Sequence, residues 1–132
     1  MYLDMNVLRG FEELSGPDDD GFLFAEIAEI FEQTTPELLG KLESAIAGGN
    51  SETVRQIAHR LKGSAANLGA KKMSELCSAA ELTAKLNPLQ VTNIDVDPIL
   101  DSYTKTCAEI ALYLTSKNQR KSLPKKEIFS FN

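Results

Sequence analysis

The spacing of apolar residues constrains this chain most, because they recur every three or four positions in four long segments. No segment alternates between apolar and polar residues over a useful length, so a sheet is not expected. Short stretches rich in Gly, Pro, Asn or Asp separate the segments. We therefore expect an all-α fold, an antiparallel up-down-up-down four-helix bundle with an extra short N-terminal helix.

The first half of the chain divides at glycine and proline. A short helix is predicted over residues 1–15, which should pack across one end or side of the bundle, followed by a loop over 16–21. A long helix is predicted over 22–47 and is terminated by Gly48-Gly49-Asn50. Pro36 lies within this segment, so we expect a kink near Thr34, and a division into two helices there is the alternative.

The second half is predicted from capping residues. Ser51 is the expected N-cap of the next helix, and Gly69 is its expected stop. A further helix is predicted over 70–86, a loop over 89–96, and a last helix over 97–117 with Asp97 as N-cap before Pro98. The chain should therefore comprise a short helix and acidic loop (1–21), a bundle (22–117) and a basic tail (118–132). Whether Ile128, Phe129 and Phe131 dock on the body or stay mobile is left open.

Residue counts exclude several kinds of site. One histidine and two cysteines cannot form a closed zinc site of four Cys/His ligands or a disulfide framework. Cys77 and Cys107 lie on apolar helix stripes, so we expect two reduced core thiols in a cytoplasmic protein; a disulfide or a reactive thiol is the alternative. No apolar run is long enough to span a membrane, and the N-terminus does not resemble a signal peptide.

The charge is acidic overall but unevenly distributed. The net charge of −5 argues against nucleic-acid binding as the main function. Residues 1–51 carry −9, whereas residues 52–72 carry +4, and the only histidine, His59, lies in this basic zone. A solvated helix face rich in arginine and lysine is the simplest alternative explanation of the zone.

His59 is predicted to face solvent. At about 100° per residue, the apolar residues of its helix lie within an arc of about 80°, and His59 lies about 160° from the centre of that arc. This position disfavours both a core histidine and an axial haem ligand, and leaves an incidental surface histidine as the alternative.

The neighbours of His59 favour a functional role. Gly63 lies one turn further on the same face, although a glycine inside a helix costs about 1 kcal/mol relative to alanine. Together with Ala66 it leaves the imidazole standing above a low surface that another protein could approach. Lys62 and Arg55 place cations nearby. An accessible neutral imidazole beside a cation suits reversible phosphoryl capture, and the chain carries no Gly-rich phosphate loop for ATP.

The run from Ala58 to Gly69, AHRLKGSAANLG, closely resembles the signature of histidine-containing phosphotransfer (HPt) domains, whose core is His-x-x-Lys-Gly. The flanking segments are also similar: residues 31–50 resemble the preceding helix and its Gly-Gly-Asn turn, and Leu76-Cys77 with Glu81 resembles the following helix. The resemblance covers roughly residues 22–116.

This resemblance implies roles for individual residues. His59 would accept the phosphoryl group on Nε2, Lys62 would help hold the phosphate, and Gly63 would give the partner room. Glu81 would either orient the imidazole or be a plain surface glutamate. Gln33 and Arg60 could also lie near the site.

The resemblance further implies a monomeric phosphocarrier without kinase activity. It would relay phosphate between aspartates of receiver domains on response regulators and hybrid sensor kinases, in a two-component pathway, with no nucleic-acid or membrane partner. It would need no cofactor of its own, because Mg²⁺ is expected on the receiver. Two alternatives remain: a binding-only module that regulates a receiver or sensor kinase without carrying phosphate, and a nucleic-acid or anionic-surface binder that uses residues 117–126.

Overall fold

The computed structural model describes residues 1–16 and 21–129, and the side chains of residues 1–16 and 21–117. The described residues form five α-helices: α1 (Met5–Ser15), α2 (Phe22–Ala47), α3 (Ser51–Leu68), α4 (Lys71–Leu86) and α5 (Asp97–Phe129). A 3-10 helix at Pro88–Asn93 joins α4 to α5. The predicted all-α architecture is confirmed. Part of the predicted 16–21 loop, and the docking of Ile128, Phe129 and Phe131, lie outside what the structure describes.

Helices α2 to α5 form the bundle, because each contacts the next and α5 closes the ring against α2. The inward-facing apolar stripes supply the core, in which fully buried side chains come from every helix. These include Leu42, Val54, Leu61, Met73 and Ile99. Burial of a side chain of this size contributes about 1.5–3 kcal/mol, so the core holds the four helices in fixed register.

Two predicted N-caps are wrong. Asn50, one residue before Ser51, caps α3, and its side-chain oxygen accepts a hydrogen bond from the Thr53 amide at 3.1 Å. Asparagine is as good an N-cap as serine. Helix α3 therefore begins at Ser51, one residue earlier than a Ser51 cap would place it. Asp97 lies inside α5, because the carbonyl of Val96 accepts the first helical hydrogen bonds.

Other predicted boundaries also shift. Residues 1–4 precede α1 and are not helical, and Ala70 lies in a turn before α4. The predicted 89–96 loop contains most of the 3-10 helix. Helix α5 continues past the predicted end at Lys117 to Phe129. No glycine follows Lys117 that could supply a left-handed C-cap, which is consistent with this continuation.

Helix α2 is continuous across Pro36, so the division into two helices is excluded. Proline lacks an amide hydrogen, which leaves the Glu32 carbonyl, four residues earlier, without its helical donor. The Tyr103 hydroxyl of α5 donates to this carbonyl at 3.3 Å. A neighbouring helix thus supplies the hydrogen bond that Pro36 removes.

The N-terminal segment crosses the turn between α3 and α4. The Asp4 amide donates to the Gly69 carbonyl at 2.7 Å, and the Lys71 amide donates to the Tyr2 carbonyl at 3.1 Å. Gly69 has φ +90°, and a Cβ there would lie 2.9 Å from Cβ of Val7. Glycine is therefore needed at this position for its backbone conformation and for the close approach of α1.

Contacts with α5 fix the rest of this segment. The Glu109 carboxylate accepts hydrogen bonds from the amides of Tyr2 and Leu3 at 2.8–3.0 Å. Further along α1, Lys117 forms an ion pair with Glu12 at 2.8 Å. As predicted, the short first helix packs across one end of the bundle, and it leaves the middle of α3 uncovered.

Candidate functional site

His59 lies in the middle of α3 and faces solvent, as predicted. Its side chain is 63% exposed, whereas Ala58 and Leu61, which turn towards the bundle, are fully buried. The apolar stripe of α3 packs into the bundle and thereby fixes the direction in which the imidazole points.

Glu81 of α4 hydrogen-bonds to His59, with 2.8 Å between Oε2 and Nδ1. The turn at Gly69 and Ala70 brings α3 and α4 together as a hairpin, and the two residues lie equally far from Ala70 in the sequence. Helices of equal rise therefore place them at the same level. This symmetry is the sequence signal that could have identified Glu81 as the partner of His59.

Lys62 completes the cluster, because its Nζ lies 2.7 Å from Oε1 of Glu81. The two oxygens of one carboxylate thus hold the histidine and the lysine. The hydrogen bond from Lys62, and to a lesser extent that from His59, holds the pKa of Glu81 below its ordinary value, while burial acts in the opposite direction. Glu81 is therefore ionised at neutral pH.

The ionised Glu81 determines which imidazole nitrogen can react. A carboxylate only accepts hydrogen bonds, so Nδ1 of His59 must carry the proton that it donates. In a neutral imidazole the lone pair then resides on Nε2. Within the described part of the chain, no group hydrogen-bonds to Nε2. The site therefore presents an oriented and accessible nitrogen nucleophile.

Gly63 and Ala66 keep the surface beside His59 low. A Cβ at Gly63 would have no atom within 4 Å apart from its own helix, so packing within the described chain does not require glycine there. Both residues are exposed. A side chain at Gly63 would project from the surface that surrounds the imidazole.

The remaining candidates lie outside the cluster of His59, Lys62 and Glu81. Arg55, one turn before His59, donates from Nε to Glu52 at 3.1 Å, and this bond raises the pKa of Arg55. Gln33 of α2 donates to Glu29 at 3.3 Å. Arg60 is exposed and makes no hydrogen bond or ion pair with another described residue. Glu52 thus pairs with Arg55 inside the basic zone, a contact that the net charge of the zone does not reveal.

The cysteines are free, as predicted. Cys77 is fully buried, and its burial raises the pKa of its thiol to about 12. Cys107 is only partly buried and lies outside the core, so the prediction of a core thiol is wrong for this residue; desolvation also raises the pKa of its thiol. Both thiols are therefore protonated at neutral pH, in keeping with a packing role.

Comparison with known proteins identifies the family. A family model described as Hpt domain matches residues 26–116, which include His59, Lys62, Gly63 and Glu81. Searches of curated proteins and of solved structures returned no significant match. Among the helices that the structure describes, none is long and apolar enough to cross a membrane. Because the match covers more than half of the sequence, the chain belongs to the Hpt domain family, the phosphotransfer modules of two-component signalling.

Proposed function

We propose that this protein relays phosphoryl groups between aspartates of receiver domains through Nε2 of His59. The observation that carries the proposal is the hydrogen bond from Nδ1 to an ionised Glu81, which leaves Nε2 exposed and without a hydrogen-bond partner among the described residues. The family match supports phosphotransfer in general, and the geometry supports His59 as the residue that carries the phosphate.

In the forward step, the Nε2 lone pair attacks the phosphorus of a receiver aspartyl phosphate. The Nε2–P bond forms, the P–O bond to the aspartate breaks, and the carboxylate leaves with the electron pair. The ring keeps its Nδ1 proton and becomes cationic, and the ionised Glu81 stabilises that charge. A second receiver aspartate reverses the step by attacking the same phosphorus.

Lys62 and Gly63 have separate roles in this transfer: Lys62 contacts the phosphoryl group, and Gly63 leaves space for the receiver. The Lys62 ammonium lies one turn from His59 and is one-third exposed, so it can turn from Glu81 towards a phosphoryl group on the imidazole. Gly63 gives the approaching receiver room. We assign Arg55, Arg60, Ala66 and Gln33 to the surrounding surface, which the receiver would cover.

The proposed partners are receiver domains of response regulators and hybrid sensor kinases. Such a receiver would supply the attacking or leaving aspartate and its own Mg²⁺, so this chain would act as a cytoplasmic phosphocarrier, without a cofactor or ATP-dependent kinase activity of its own. This division of labour matches a site made of one imidazole, one ammonium and one carboxylate.

Incubation with a phosphorylated receiver tests the proposal. We expect an acid-labile, base-stable label on the protein that is lost in His59→Gln. Gly63→Gln should retain its helical circular dichroism but transfer slowly, because the added side chain would occupy the approach to the imidazole. Undiminished labelling of His59→Gln would reject the assignment. Partner inhibition that persists in this variant without labelling would favour a binding-only module.

A further inference from the structure

The two cations that flank His59 along α3 are held by different carboxylates. Lys62, three residues after His59, pairs with Glu81 of α4, which also holds the imidazole. Arg55, four residues before His59, pairs with Glu52 in the first turn of the same helix, and its Nε donates to that carboxylate at 3.1 Å. The pair of Arg55 and Glu52 is separate from the His59 cluster, although it lies only one turn away.

Arg55 lies within reach of the imidazole. Residues four apart are neighbours on a helix surface, with about 5–6 Å between their Cβ atoms, a distance that an extended arginine spans. Side chains lean towards the N-terminus of their helix, so the imidazole of His59 lies over the turn that contains Arg55. The pKa of Arg55 is raised mainly by Glu52 and further by the charge of Glu81, so the guanidinium is within electrostatic range of the cluster.

The contact between Arg55 and Glu52 is easily exchanged. Arg55 is 38% exposed and Glu52 is 62% exposed, so water competes for it. Without Arg55, Glu52 keeps a hydrogen bond from Gln56 at 3.1 Å and the favourable field of the helix N-terminus. A phosphoryl group carries up to about two negative charges and three acceptor oxygens, which suit the planar donors of arginine better than one carboxylate does.

We propose that Arg55 leaves Glu52 and binds the phosphoryl group when His59 is phosphorylated, and that Glu52 thereby limits how strongly the chain retains phosphate. The inference rests on the proposed function of His59. Arg55 and Lys62 then hold the phosphoryl group from the turns before and after the histidine. Because Glu52 competes for the guanidinium, it weakens this hold and keeps the group transferable. Arg55 is a phosphate-binding residue, and Glu52 is a positioning residue that acts through it.

The equilibrium partition of labelled phosphate between a receiver domain and the full chain tests the inference. In dilute solution this partition depends on the free energies of the separate proteins, so contacts within the transfer complex do not alter it. We expect Arg55→Met to lower the equilibrium constant for phosphorylation of the chain about threefold, and Glu52→Gln to raise it about twofold. Arg55→Lys keeps the charge but not the planar donors, so its loss should be smaller.

Arg60→Met is the matched control. Arg60 is exposed and carries the same charge as Arg55, but it follows His59 directly in the sequence. Adjacent residues are about 100° apart around a helix and do not face each other, so this variant should partition as wild type does. The double variant Glu52→Gln/Arg55→Met separates an action through Arg55 from direct repulsion of phosphate by Glu52. It should partition as Arg55→Met alone.

Two results would overturn the role of Arg55: a wild-type partition in Arg55→Met, or an equal loss in Arg60→Met. The role of Glu52 is overturned if Glu52→Gln partitions as wild type, or if its gain persists without Arg55. Circular dichroism establishes that each variant is folded. A labelled His59 with an unchanged partition rejects this inference alone, whereas an unlabelled His59 rejects the phosphotransfer proposal on which it rests.

Discussion

Replacing Glu81 with alanine is expected to slow phosphoryl transfer more than it destabilises the fold. The substitution removes the acceptor that holds Nδ1 of His59 at 2.8 Å and Nζ of Lys62 at 2.7 Å. Because the histidine is 63% exposed and the lysine 33% exposed, solvent competes for both contacts, and their loss should cost about 1 kcal/mol of stability. Glu81 also orients the imidazole and stabilises its charge in the transition state. If its removal raises the activation free energy by about 1.4 kcal/mol, transfer slows about tenfold.

Rapid-quench measurement of transfer from a phosphorylated receiver gives the rate, and ¹⁵N NMR of His59 gives the tautomer. In Glu81→Ala, the fraction of neutral imidazole protonated on Nε2 should increase. Glu81→Gln keeps an oxygen that can accept from Nδ1, so its transfer should stay within about threefold of wild type. Glu43→Ala, a change at an exposed residue of α2, is the control for loss of a surface carboxylate. A wild-type rate and tautomer in Glu81→Ala would refute the positioning role.

The pH dependence of stability provides a second check on Glu81. The pKa of Glu81 is lower in the folded chain than the ordinary value of 4.5. The ionised carboxylate therefore stabilises the fold, and this contribution is fully present above about pH 4.5. Stabilisation is lost as the pH falls through the lower, folded-state pKa. The difference in unfolding free energy between wild type and Glu81→Ala should therefore shrink as the pH falls below about 4.5. A difference that instead grows as the pH falls below 4.5 would contradict this reasoning.

Three further predictions concern glycines and thiols. Gly63→Ala and Gly40→Ala should each raise the free energy of unfolding by about 0.5–1 kcal/mol, because an added Cβ meets open space at both helix positions. Denaturant titrations measure this, and a loss of stability in either variant would show that the helix needs glycine there. Gly69→Ala should lower stability by at least about 1 kcal/mol, because φ is +90° and a clash follows; an unchanged melting temperature would contradict this. A thiol reagent at pH 8 should modify Cys107 in the native protein well before Cys77, which is fully buried with a pKa of about 12, and equal rates would show that α4 opens readily.

Local chemistry explains why much of the bundle could be predicted from sequence. The bounds of α2, the end of α3 at Gly69 and the outward direction of His59 follow from apolar spacing and from one left-handed glycine. Helical geometry suffices for such features, because each depends on residues within the same helix or its adjoining turn.

Features that depend on contacts between helices were not predictable in the same way. The hydrogen bond from Tyr103 to the Glu32 carbonyl joins residues 71 positions apart, and it compensates for a proline that predicted a kink or a break in α2. Glu81 remained ambiguous for the same reason, since a glutamate on the edge of an apolar stripe reveals its partner only once α3 and α4 are paired. The continuation of α5 past Lys117 was missed because no local signal marks a continuation, and Pro124 is typical of a helix end.

The position of the phosphoryl group on His59 tests the central claim most directly. After transfer from a phosphorylated receiver, NMR of the ¹⁵N-labelled protein should show the N–P bond at Nε2, with the proton retained on Nδ1 beside Glu81. This result follows from the tautomer that the ionised carboxylate selects. Phosphate on Nδ1, or on any residue other than His59, would contradict the account.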